Sequence, residues 1–190
     1  MQKHVIAAAL ALLAATSSYA QSVSKGDQKI LSDLAQANIA EVAAGNIAVQ
    51  KASAPEVKSF AQKMVEDHTK GLQEVQQVAQ SKNVTLPTEP DAKHKKMADK
   101  FNKLSGNAFD KAYLANAGVN DHKAAHNLVE RAQRKATDPD IKALAAKLQP
   151  TIDQHMQSVQ PLAASKGIVS DESHGNTDSP LNSANQTAKK

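Results

Sequence analysis

Two stretches of the chain repeat one another. Lys51-Ala-Ser-Ala-Pro-Glu-Val-Lys-Ser-Phe-Ala-Gln-Lys-Met64 returns as Lys135-Ala-Thr-Asp-Pro-Asp-Ile-Lys-Ala-Leu-Ala-Ala-Lys-Leu148. In each copy a proline follows a short polar segment and opens a run with apolar residues three and four apart. Proline suits the first turn of a helix, where its missing N–H has no partner to lose. Helical spacing also leads into each copy, so each spans a turn between two helices. The chain therefore reads as two helical hairpins joined by a long segment from Asn83 to Gly106. That pattern predicts an all-α fold, a four-helix bundle with a crossover. Aromatic residues are only 3% and tryptophan is absent. The core must then be mostly Ala, Leu, Val and Ile, which suits close-packed helices.

The first helix is expected from Asp27, as N-cap, to about Lys51, with the stripe Ile30, Leu34, Ala37, Glu41, Ala44, Ala48. Ser53 and Glu56 have the spacing of a capping box, and the second helix runs from there to about Lys82. Its stripe is Ala61, Met64, His68, Gly71, Val75, Val78. Pro87 and Pro90 interrupt the pattern. A short helix over Asp91 to Leu104 is expected inside the crossover. After a break at Ser105-Gly106-Asn107, the third long helix runs to Ala136 with the stripe Ala108, Ala112, Ala115, Val119, His122, His126, Val129. The fourth starts at Thr137-Asp138-Pro139-Asp140 and runs to about Lys166. Its stripe is Ile141, Leu144, Leu148, Ile152, His155, Val159, Leu162, with a kink expected at Pro150. The bundle domain is thus residues 27–166. Residues 167–190 are rich in Ser, Asn, Asp, Thr and Lys with Gly and Pro, the composition of a disordered tail.

Residues 1–20 read as a secretory signal. Lys3 and His4 precede the apolar run Val5 to Ala15, and Ser18-Tyr19-Ala20 puts small residues at the cleavage positions. The expectation is a periplasmic protein cleaved after Ala20, with no transmembrane segment in the mature chain. No cysteine is present, so neither a disulfide nor a lipid-modified cysteine can form. The net charge of +4 is spread over scattered lysines. With so few aromatics, a nucleic-acid surface is not expected. There is no nucleophile motif, glycine-rich phosphate loop or paired-carboxylate site, and hence no sign of an organic cofactor. No partner is indicated, and a homo-oligomer is compatible with the sequence.

The feature that points to chemistry is polar. Glu41, His68, His122 and His155 each occupy a core slot, one per long helix. Counting from the hairpin prolines Pro55 and Pro139 puts the two members of each hairpin at nearly one height, near mid-helix. One carboxylate and three imidazoles pointing inward are the ligand types of a divalent transition metal, with zinc, iron and copper not distinguished. The same residues could instead form a metal-free polar layer that fixes helix register. Asp67 and Asp121, beside His68 and His122, and Asp153, near His155, are candidate partners that orient the rings, or else solvated face residues. His126 lies one turn after His122 and could join or replace it, or touch water at the edge. Met64 and Met156, beside His68 and His155, either soften the site toward copper or fill the core.

At these residues the chain resembles the exported bacterial family catalogued as domain of unknown function 4142, grouped with ferritin-like four-helix bundles. The resemblance lies in Ala40-Glu41-Val42 with Gly45, Val57-Lys58-Ser59-Phe60-Ala61, Met64-Val65-Glu66-Asp67-His68, Ser105-Gly106-Asn107-Ala108-Phe109-Asp110 with Tyr113, and Asp121-His122. It covers about Asp27 to Gly167. It implies a ferritin-like bundle with residues 83–106 as the crossover, but not a di-iron centre. That centre needs Glu three residues before His on two helices, and here Val65, Val119 and Ile152 stand in those places.

The leading reading is an exported bundle that binds one transition metal in its core, in envelope stress protection rather than as a defined enzyme. The alternative is a metal-free structural or interaction module of the cell envelope. A mononuclear metalloenzyme, with Tyr113 near its metal, is the third.

Overall fold

The computed structural model describes residues 23–168, which form helices and connecting turns; the expected signal (residues 1–20) and all but the first two residues of the expected tail (167–190) lie outside them. Helix α1 is Lys25–Lys51, α2 is Pro55–Ser81, and a short α3, Ala92–Asn102, lies in the crossover. The third long rod is α4, Gly106–Tyr113, a π-helical segment, Leu114–Asp121, and α5, His122–Lys135. Helix α6 is Pro139–Ser165 and continues through Pro150 and Pro161, both exposed. The molecule is the expected all-α bundle of two hairpins, α1/α2 and α4–α5/α6. The 27-residue helices span about 40 Å at 1.5 Å per residue.

Local chemistry sets the ends. Ser24, not Asp27, caps α1: its hydroxyl accepts from the Asp27 N–H at 3.0 Å. The Asp27 carboxylate reaches the other hairpin instead. It accepts from the N–H and hydroxyl of Thr137 and from the Asp138 N–H, so it locks the α5/α6 turn. Asp110, in α4, does the same for the α1/α2 turn. It accepts from Ser53 N at 2.9 Å, Ser53 Oγ at 2.6 Å and Ala54 N at 3.0 Å. The capping box expected of Ser53 and Glu56 therefore does not form, because Asp110 takes both Ser53 donors. Each hairpin turn is clasped by a buried aspartate near the start of the other hairpin.

These clasps also show where the crossover goes. Lys82, at the end of α2, pairs with Asp138 and Asp140 beside the α5/α6 turn. The α4 start lies at the α1/α2 turn. Residues 82–105 thus travel the length of the bundle. They run along α1 and the third rod, through Gln36 Nε2 to Glu89 O, Lys93 to Asp121 and Lys51 Nζ to Asn102 O. Phe101 of α3 packs on Phe109 and Tyr113 with ring centroids 5.8 and 6.1 Å apart, which pins the crossover to the core.

The core divides at mid-height. One apolar cluster holds Leu31, Leu34, Val75, Val129, Ile141 and Ile152; the other holds Ala48, Val57, Met64, Phe109, Tyr113 and Val159. Between them lie the buried polar residues Asn38, Glu41, His68, His122 and His155.

The stripe expected early in the third rod is on the wrong face. Ala108 is exposed, while Phe109, Tyr113, Leu114, Ala117 and Gly118 are buried. The π-helical segment is the reason: it inserts an extra residue into the helical count, so α-spacing extended backward from His122 drifts around the rod. Gly118 lies in this segment because α6 passes too close for a side chain. A Cβ there would stand 2.7 Å from Val159 Cγ2.

Candidate metal centre

Three of the four expected core residues meet. His68 from α2, His122 from the start of α5 and His155 from α6 bring one nitrogen each to within 4.8 Å of one another. His68 Nε2 is 3.3 Å from His122 Nε2, which is 3.2 Å from His155 Nδ1. The three residues are 6, 0 and 1% exposed. Rigid rods of equal pitch carry these positions to one level, and the π-helical segment turns His122 inward.

The outer nitrogen of each ring faces an acceptor. His68 Nδ1 donates to Asn38 Oδ1 at 3.0 Å, His122 Nδ1 to the Ala117 carbonyl at 2.8 Å, and His155 Nε2 to Asp67 Oδ2 at 2.8 Å. The Asn38 amide has its NH2 on the Leu34 carbonyl at 2.8 Å, so its oxygen must face the imidazole. An imidazole that donates outward keeps a bare lone pair inward. Three lone pairs therefore converge with no hydrogen between them, in a buried layer.

A second proton on any ring is disfavoured. Burial pushes His68 well below the ordinary histidine range, reinforced by His122 and His155, and pushes His122 down to about 4. Burial lowers His155 as well, even against the pull of Asp67. Neutral rings at neutral pH are what metal ligation requires.

The other expected ligands stand elsewhere. Glu41 is buried in the same layer but lies beyond His122, its Oε1 3.6 Å from the outer Nδ1 and its Oε2 without a hydrogen-bond partner. The Ala117 carbonyl, not Glu41, takes the His122 hydrogen. Burial first, and then Asp121, pushes the Glu41 carboxyl well above the usual carboxylate range. Asp67 does orient a ring, but that of His155 on α6, not its neighbour His68, because successive helical residues diverge. Asp121 turns to Lys93 at 2.8 Å and His94 at 3.6 Å on the crossover. His126 is partly exposed and pairs with Asp153 at 2.8 Å. Asn38 and Ala117 were missed by sequence reasoning. Asn38 stands four residues after Leu34 on the core stripe, a polar residue in a buried slot, and that signal was legible. A backbone carbonyl leaves no such trace.

A cavity of about 200 Å³ opens between the hairpins and reaches the layer past Asn38 and Asp67, ending on His68. Its lining mixes apolar Leu34, Leu128, Val129, Leu148 and Ile152 with polar residues, among them Lys70, Thr151 and the pair Glu74 and Lys147 at 3.0 Å. Gly71 lies on this cavity, where a Cβ would stand 2.6 Å from Asn38 Oδ1. Among the described residues no helix is long and apolar enough to cross a membrane.

The sequence profile of the family described as "Domain of unknown function (DUF4142)" matches residues 12–162. No curated protein matches the chain. A DUF305 fragment from Deinococcus radiodurans has a similar structure, with TM-score 0.66 at 10% identity over 75% of this chain and 98% of that one. So does CopM, in its Cu(I)-bound form (TM-score 0.60, 15% identity) and its Cu(II)-bound form (TM-score 0.61, 16% identity). Each CopM match covers 73% of this chain and 96% of that one. At such identities the likeness shows a shared helical-bundle fold.

Proposed function

The chain belongs to the DUF4142 family, whose description assigns no activity, and we propose from its buried histidines that it binds one transition-metal ion at His68, His122 and His155. One observation carries the reading. Asn38, Ala117 and Asp67 accept all three outer hydrogens, which leaves three inward lone pairs placed to hold a cation. A metal–imidazole bond of about 2.0–2.1 Å puts neighbouring donors roughly 3.3–3.6 Å apart. The inner nitrogens at 3.3 and 3.2 Å match that spacing, and the third pair, within 4.8 Å, would close to it by ring rotation. The outer partners are the hydrogen-bond acceptors that ligating histidines ordinarily have. CopM, which shares the fold, was solved in copper-bound forms, and this sets copper beside zinc and iron as a candidate.

We place the protein outside the cytoplasm, on the signal-like residues 1–20, with a role in metal binding or stress protection of the envelope. Glu41 acts from behind His122, as a neighbour of the centre. The test is metal analysis of protein purified without chelators, with His68→Ala/His155→Ala beside it. One equivalent of a transition metal in wild type and none in the variant is expected. Folded wild-type protein that neither carries nor takes up zinc, copper or iron would leave the histidines as a metal-free polar layer.

A further inference from the structure

We infer that the ion this centre suits is monovalent copper rather than a dication. The inference rests on the metal-binding reading above and adds to it the charge and the coordination number of the ion.

Charge favours the monovalent ion. The donors are three neutral imidazole nitrogens, and among the described residues no other His, Cys, Asp or Glu joins the group. Glu41 faces the far side of His122. Asp67, behind His155, already balances Lys63 at 2.8 Å. A bound ion therefore brings its charge into the buried layer with no anionic ligand. The solvation lost on burial grows as the square of the charge, so a dication loses about four times what a monocation of equal size loses.

Coordination number favours it as well. Zinc completes a tetrahedron, and in three-ligand protein sites water or substrate supplies the fourth position. Ferrous centres of the facial-triad type keep positions open as well. Here the ion is screened on most sides: the cavity reaches the layer at Asn38, Asp67 and His68, and neither His122 nor His155 lines it. The apolar clusters containing Val129 and Ile152 on one side, and Met64, Leu114 and Val159 on the other, flank the layer. Monovalent copper, a closed-shell ion with no ligand-field demand, is satisfied by two or three donors, and imidazole is among the ligands copper takes.

The experiment is competition for ions by the whole chain. Under anaerobic conditions Cu(I) is titrated against a chromophoric Cu(I) chelator, while Zn(II) and Cu(II) are titrated against chelators of known affinity. His68→Ala/His155→Ala is run beside wild type, with far-ultraviolet circular dichroism to show that both are helical. The expected result is one Cu(I) per chain, held at least ~100-fold more tightly than Zn(II) or Cu(II), lost in the variant, and with an X-ray absorption spectrum of three nitrogen donors and no water. Zinc or Cu(II) bound at the histidines as tightly as Cu(I), or a bound water in the Cu(I) spectrum, would overturn this inference and leave the metal-binding reading intact. Wild-type protein that binds none of the three, or a variant that binds Cu(I) like wild type, overturns both.

Discussion

Asn38→Leu should change which nitrogen of His68 carries hydrogen, and with it the affinity of the centre. In the native layer Asn38 Oδ1 accepts from His68 Nδ1 at 3.0 Å, and the amide cannot turn because it also donates to Leu34 O at 2.8 Å. Leucine has a similar volume and no acceptor. The Nδ1–H, on a ring only 6% exposed, would then be left unsatisfied at a cost of about 1–3 kcal/mol. The ring has a cheaper choice: it moves the hydrogen to Nε2 and donates to His122 Nε2, 3.3 Å away. The metal-free variant should then lose less than that full cost, while one of three inward lone pairs is occupied before the ion arrives. Loss of an orienting partner typically lowers metal affinity by about 10–100-fold. Nitrogen-15 spectra of the histidine rings read the tautomer directly, and chelator competition reads the affinity. Metal-free wild type should show Nδ1–H for His68 and His122 and Nε2–H for His155. If Asn38→Leu leaves the His68 tautomer unchanged and the affinity within about threefold, Asn38 does not hold the inward lone pair of His68.

The two clasps give a second prediction. Asp27→Ala or Asp110→Ala strips a turn of its acceptor and should cost about 2–4 kcal/mol in urea unfolding, with the double variant close to additive because the clasps lie at opposite ends. Burial opposes ionisation of both carboxyls, but their hydrogen bonds prevail and hold them below the usual value of 3.8. Their stabilisation is therefore complete above that value and lost as pH falls through the lowered folded value, so each variant should show a flatter acid limb than wild type. Glu41 has the opposite sign: its folded value is raised above 4.5 by burial. Its stabilisation is present below 4.5 and fades as pH climbs through the folded value. Metal-free Glu41→Gln should then hold its stability at about pH 8 better than wild type, and an identical decline in both would refute this. Gly118→Ala should push the third rod from α6, since the new Cβ would meet Val159 Cγ2 at 2.7 Å. Val159→Ala should then cost at least ~1 kcal/mol less in the Gly118→Ala background than in wild type, measured as a double-mutant cycle.

Much of this molecule was decided along the chain itself. The two proline turns, the helical stripes and the count of residues from Pro55 and Pro139 were enough to specify two hairpins and to bring His68, His122 and His155 to one height. A helix is a rigid rod with a fixed rise, so position along it is arithmetic. What arithmetic along one rod cannot supply is rotation and reach. The π-helical segment from Leu114 to Asp121 arises where the rod meets α6 at Gly118, and it shifted the buried face of the third helix away from the expected stripe. Reach decided the rest. Asp27, Asp110 and Asp67 each serve a residue on a distant element, Glu41 falls behind His122, and a carbonyl at Ala117 does what a side chain was expected to do. Which nitrogen of each ring faces inward follows from acceptors that meet the rings only when the rods pack, and that choice belongs to the tertiary structure.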